Sequence, residues 1–138
     1  MREMLSGVRT KDRVTLMESW NGHSLSAHAS PEDPHDAAGP APMDMLLAGL
    51  AACAAGTFFT IVAKMRLPID EVRVRVSAER ASTYPKVWSS IHYDLEVVGK
   101  MPQDRAERAL SLTEKECPAS VMLGKAAVLT ASVTVVTA

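Results

Sequence analysis

Aromatic residues make up only 4% of this 138-residue chain, two each of Trp, Tyr and Phe. A chain so poor in flat rings lacks the stacking platforms of single-strand nucleic-acid binders. Charge of either sign is not in excess. Fifteen Lys and Arg against 16 Asp and Glu leave a formal net charge of -1, so no bulk field draws the protein to nucleic acid or to an anionic membrane. Cysteine is also scarce, and two thiols cannot build the disulfide framework of a small secreted protein. The first residues (Arg2, Glu3, Arg9, Lys11, Asp12, Arg13) are charged where a signal peptide would be apolar, so a reducing cytoplasm is expected. Met45 to Ala63 carries no charge and is just long enough to be considered a membrane span. Its Ala, Gly and Thr content gives a weak transfer energy and strands are expected on both sides, so the simpler reading is a buried core helix.

What is present is enough apolar material, 47%, for a real core, and the length suits a single domain over residues 1–138. Arg13 to Glu18 and His23 to Ala29 alternate polar and apolar residues around Trp20-Asn21-Gly22, which predicts a hairpin. SPEDPHDAAGPA, from Ser30 to Ala41, predicts a loop, because its prolines deny a regular ladder. Pro42 and Asp44 suit a first helical turn, and a helix is expected from Pro42 to Met65. It is apolar nearly all round and must be covered on most faces by sheet or by a second subunit. Strict alternation over 69–79 and 91–98 predicts two antiparallel strands joined through Thr83-Tyr84-Pro85-Lys86. A second helix is expected from Pro102 to Glu116, with Ala106, Leu110, Thr113 and Cys117 on its inward stripe. A helical turn stopping at Gly124 and a β-branched strand from Ala127 to Thr137 complete the α+β pattern.

The two cysteines stand 64 positions apart, which excludes a C-x-x-C redox motif and the paired C-x-x-C ligands of structural zinc. Taken singly, each is more simply a small core residue than a nucleophile. Their contexts taken together say more: PMDMLLAGLAAC at 42–53 and CPAS at 117–120. Here the chain resembles the OsmC/Ohr family, in which a long apolar helix carries the peroxidatic cysteine and a later Cys-Pro-x-Ser supplies the second. The likeness runs from Gly39 to the C-terminus and includes the VRVRV strand and Val98-Gly99.

The resemblance implies an OsmC-like fold of antiparallel sheets wrapped around a long central helix in an intertwined homodimer, with Cys53 and Cys117 as catalytic residues and no cofactor. The implied activity is reduction of organic hydroperoxides: Cys53 becomes a sulfenic acid, Cys117 captures it as a disulfide, and an external dithiol such as a lipoyl group reopens the bond. Oxidative stress response is the implied setting. The helix dipole cannot activate Cys53, which lies on the order of 16 Å from the helix start. In the best characterised branch of the family an arginine and a glutamate do this work, the latter just after the proline, where this chain has Met43. Asp44 follows, but about 100° of rotation per residue puts it on the side of the helix opposite Cys53. Arg13, with Arg9 behind it, is the candidate for the thiolate-activating arginine, although a solvated surface charge is the plainer reading of each. Without the glutamate, peroxidase turnover is expected to be slower than in branches that keep both groups. The alternative is a dimer of the same fold that binds an apolar or thiol-reactive small molecule without peroxidase activity.

No metal is expected. Asp33, His35 and Asp36 lie in a Pro-rich loop where such clusters are usually solvated, and His23, His28 and His92 have no spaced partners. Met43, Met45, Met65 and Met122 are expected as core and gap filler, with an apolar channel to Cys53 as a second use.

Overall fold

Alternation of side chains along extended backbone organises most of the molecule, and the expected strands form where the β-branched runs predict them. The computed structural model describes residues 2–136. Six strands and three α-helices follow in the order β1 (Leu5–Arg9), β2 (Val14–Ser19), β3 (Ser24–His28), α1 (Pro42–Lys64), β4 (Glu71–Arg80), β5 (Trp88–Val98), α2 (Gln103–Glu116), α3 (Pro118–Ala126) and β6 (Val128–Val136). The chain falls into two compact units, one ending at Leu46 and one beginning at Leu47.

The N-terminal unit is a three-stranded antiparallel sheet, β1-β2-β3. The expected hairpin is β2 and β3, with Met17 opposite Leu25 and Gly22 in the turn at a φ of 85°. Strand β1 was not anticipated, because LSGVR is too short and too polar to show a period. The sheet leaves apolar side chains in the open, including Leu5, Val8, Leu16 and Leu25. Three strands without a covered face are marginal on their own, so this surface needs a cover. The Pro-rich segment is a loop as expected, with one 3-10 turn at Pro34–Asp36 capped by the Asp33 carboxylate, which accepts from the His35 amide.

In the second unit, Val72, Val74 and Val76 of β4 and Ile91, Tyr93, Leu95 and Val97 of β5 share the inner face of one sheet. Leu50, Ala54, Phe58, Ile61 and Val62 of α1 belong to the same core, as do Ala106, Ala109 and Leu110 of α2. The spacing of the α1 residues is the i, i+4, i+8 stripe of one helix face. Helix α1 is long and apolar enough to cross a membrane. Its buried stripe packs like that of a core helix, while Phe59 keeps 40% of its surface exposed on the other side. The helix ends in a Schellman arrangement: Arg66 takes the left-handed conformation (φ 59°), its amide reaches the Ala63 carbonyl at 3.0 Å, and the Leu67 amide reaches that of Val62 at 3.3 Å.

Three expectations need correction. The sheets are not antiparallel throughout, because β6 pairs with β5 in parallel, Leu95 opposite Val133. Helices α2 and α3 form a crossover that returns the chain in the direction of β5, and parallel pairing requires such a connection. Gly124 does not stop α3, which continues to Ala126, because one exposed helical glycine costs only about 1 kcal/mol. Met122 is not core filler but 71% exposed, whereas Met65 does pack against the core. The expected end of the last strand at Thr137 lies outside the described residues.

Gly99, between β5 and α2, sits where a Cβ would collide with the Pro68 carbonyl oxygen. Backbone cannot yield as a flexible side chain can, so Gly99→Ala should destabilise the fold by about 1–3 kcal/mol. Thermal unfolding should then fall by several degrees, and an unchanged midpoint would show that this turn relaxes freely.

Candidate functional site

Helix α1 carries Cys53 on the flank of its buried stripe, so the thiol is half-buried. Cys117 closes α2 and opens α3: its amide donates to the Thr113 carbonyl at 2.8 Å, and its backbone is extended (φ -71°, ψ 114°), so it stands as the N-cap of α3. Pro118 follows at the first helical position, where its missing N–H costs nothing. This corner turns the Cys117 side chain into the core, with no exposed surface. Its Sγ lies 3.2 Å from Cys53 Sγ, and both thiols are free. The two sulfurs are hydrogen-bonded, and closing them to a disulfide length requires about 1 Å of approach.

The two thiols meet different electrostatics. Burial pushes the Cys53 thiol above its ordinary value, and the neighbouring Cys117 sulfur adds to the rise; the Ala119 amide and the Thr57 hydroxyl oppose it. Burial also pushes Cys117 up, but the Ser120 hydroxyl, the amides of Ser120 and Ala119 and the Cys53 S–H outweigh it and hold Cys117 below the ordinary value. The first turn of α3 thus supplies Cys117 with unpaired N–H groups suited to an anion. The two thiols are thus pushed in opposite directions, Cys53 toward the protonated form and Cys117 toward the anion.

Access runs the other way. Cys53 opens onto a cleft of about 450 Å³ bordered by Gly56, Thr57, Thr60 and Lys64 of α1 and by Glu116 at the end of α2. Cys117 has no such opening. A reagent from solvent therefore meets Cys53 first, although Cys117 is the better anion.

A pH dependence follows. A raised Cys53 value means that its thiolate is scarce below that value, and its reactivity should climb about tenfold per pH unit until the value is passed. Removing the neighbouring Cys117 sulfur with Cys117→Ser should move this rise to lower pH. Alkylation of Cys53 followed against pH in both proteins tests the sign, and a profile unmoved by Cys117→Ser would show that the sulfurs are not electrostatically coupled.

The other residues singled out from the sequence have their own local settings. Arg13 belongs to the N-terminal unit, in a turn at a φ of 69°, where its Nη1 donates to the Ser30 carbonyl at 3.1 Å. Arg9 ends β1 and is exposed. His92 lies on the outer face of the second sheet, bonded to Thr130 at 2.7 Å and to Ser132 at 3.0 Å, and Ser132 donates to Asp94 at 2.7 Å. His28 Nδ1 accepts from the Ala38 amide at 3.0 Å. Among the described residues, no group of three or more His, Cys, Asp or Glu is placed to hold a metal ion. Ser120, Thr57 and Tyr93 were not foreseen. The signal for Ser120 was present in CPAS, since the third residue after an N-cap faces back toward it. Tyr93 reaches the site only through tertiary packing.

An α+β chain with two distant cysteines brought to sulfur contact, one in a long core helix and one at a helix N-cap, defines a two-thiol protein. The family described as OsmC-like protein matches residues 34–132, and the chain belongs to that family. It is 32% identical to Protein YhfA of Escherichia coli K12 over 138 residues, covering 98% of this chain and 100% of that protein. Among solved structures it resembles an OsmC-like protein from Mycoplasma pneumoniae, with a TM-score of 0.88 at 21% identity, covering 99% of this chain and 98% of the other. It also resembles the organic hydroperoxide resistance protein OhrB of Bacillus subtilis, with a TM-score of 0.68 at 17% identity over 97% and 98% of the two chains. At these identities the structural likeness concerns the fold alone.

Proposed function

We propose that the protein is a thiol-dependent peroxidase that reduces organic hydroperoxides, and that it acts as a homodimer. The observation that carries this reading is the 3.2 Å separation of a half-buried Cys53 on an open cleft from a fully buried Cys117. Such an arrangement divides the labour between a thiol that meets the substrate and one that meets only its partner.

In the first step Cys53 gives up its proton to solvent at the cleft, and its thiolate attacks the terminal oxygen of the hydroperoxide. An S–O bond forms as the O–O bond breaks. The leaving alkoxide takes a solvent proton at the cleft and departs as the alcohol, which leaves Cys53 as a sulfenic acid. Cys117, as its thiolate, then attacks the Cys53 sulfur: an S–S bond forms, the S–O bond breaks, and hydroxide leaves to become water with a solvent proton. An external dithiol such as a dihydrolipoyl group reduces the disulfide by two exchange steps. Turnover of cumene hydroperoxide with dihydrolipoamide tests this reading, and no consumption above the uncatalysed rate would end it.

One observation favours a second reading. The Cys53 thiol is raised by burial, and Met43 stands where family peroxidases have a carboxylate, which suits a dimer that binds an apolar or thiol-reactive molecule in the Cys53 cleft without turning over peroxide. Binding that protects Cys53 from alkylation, with no peroxide consumption, would select it.

A further inference from the structure

Behind the cysteine pair lies a run of buried hydroxyls that the proposed chemistry has not yet used. Ser120 is 3% exposed and Tyr93 has no exposed surface. Their oxygens lie 3.4 Å apart, and either hydroxyl can donate to the other. Ser120 occupies the third position of α3 after the N-cap Cys117, the capping-box position whose side chain turns back toward the cap. From the core outward the polar groups run Tyr93, Ser120, Cys117, Cys53, ending at the cleft. Tyr93 and Cys117 belong to the same buried cluster as the apolar Leu50, Ala54, Leu95 and Ala109.

Two buried hydroxyls in an apolar core cost free energy unless each has a partner. Tyr93 has Ser120 as its partner, and Ser120 has Tyr93 on one side and the Cys117 sulfur on the other. The geometry points to Ser120 as the positioning residue that holds Cys117 as a thiolate ready to close on Cys53, with Tyr93 orienting the Ser120 hydroxyl. This inference rests on the two-thiol redox reading above and assigns the part played by the serine of CPAS. Burial holds the Tyr93 phenol above its ordinary value, so it remains a proton donor throughout the working range. In the resting arrangement the Ser120 hydroxyl donates to Tyr93; with both hydroxyls turned so that Tyr93 O–H donates instead, the Ser120 O–H is free to donate to the Cys117 anion, and each bond in such a chain polarises the next. The charged or titratable groups facing the pair are Tyr93 from β5, Lys64 from α1, and Glu116 and Glu114 from α2.

The role predicts a split between the two chemical steps. Ser120 stabilises the thiolate that resolves the sulfenic acid, not the one that attacks the peroxide. Losing it should slow the closing of the S–S bond and the accompanying loss of hydroxide. The first step should not slow, because a Cys117 that holds its proton more firmly lets Cys53 ionise more readily.

The test has two arms, both on the full chain. In a Cys53→Ser background, the Cys117 thiolate is titrated by its ultraviolet absorbance with Ser120, Ser120→Ala and Tyr93→Phe. Removing a hydroxyl that donates to an anion should lower the thiolate fraction about tenfold in Ser120→Ala, and by less in Tyr93→Phe. With both cysteines present, one equivalent of cumene hydroperoxide should form the Cys53 sulfenic acid at an undiminished rate in Ser120→Ala, while its lifetime lengthens about tenfold. A titration unchanged in both variants would overturn the assignment, and so would equal slowing of both steps, the mark of general loosening. The first arm needs no peroxide chemistry. If the wild type consumed no hydroperoxide, the peroxidase reading would fall while the titration still decided the role of Ser120.

Discussion

Replacing Cys53 with Ser should reduce hydroperoxide consumption to the uncatalysed level, a loss of roughly three orders of magnitude or more, as expected when a nucleophile is removed. The hydroxyl of Ser is a far poorer nucleophile toward peroxide oxygen, and Cys117, with no exposed surface, cannot take over. Cys117→Ser should act differently. It leaves the attacking thiol in place, so one stoichiometric turnover should occur and the sulfenic acid should persist at Cys53, where a sulfenic-specific reagent can trap it. Equal effects of the two substitutions on the first turnover would contradict the division of labour.

The second large effect concerns assembly. Phe59 on α1 is 40% exposed, and Leu5, Val8, Leu16 and Leu25 of the first sheet are 54%, 68%, 57% and 42% exposed. So much large apolar surface on one chain is more than a small monomer normally shows. A homodimer that covers it should sediment at twice the chain mass of 14.8 kDa at micromolar concentration. Phe59→Glu places a charge where desolvation is costly and should weaken the dimer by roughly a hundredfold or more. A well-folded wild-type monomer at that concentration would refute the proposed assembly.

Much of the second unit was legible in the sequence because its signals are local and repetitive. Alternation in VRVRV and in IHYDLEV fixes which side chains face the core, and the stripe ending at Cys117 turned that thiol inward as expected. The parallel return of β6 was not legible, since strand direction follows from the α2 and α3 crossover and leaves no mark in the strand residues themselves. Gly124 misled because glycine ends a helix only where the backbone turns left-handed; there α3 continues in ordinary helical geometry. At the site, the pairing of Cys53 with Cys117 was suggested by two motifs together, and the fold brings the sulfurs to 3.2 Å. The opposite electrostatic bias of the two thiols could not be read, because it depends on the amides and hydroxyl at the start of α3 converging on Cys117. For Arg13 the structure shows a hydrogen bond to the Ser30 carbonyl, a local contact that no sequence pattern announces.

The central claim is that Cys53 and Cys117 form one redox unit driven by a hydroperoxide. The reduced protein is given a single equivalent of cumene hydroperoxide without reductant, quenched with an alkylating agent, digested and analysed by mass. The account predicts a peptide pair joined through Cys53 and Cys117, lighter by two hydrogens than the reduced pair, formed in the same amount as cumyl alcohol and restored to two alkylatable thiols by dihydrolipoamide. Recovery of both cysteines fully alkylated, with the hydroperoxide unconsumed, would contradict it.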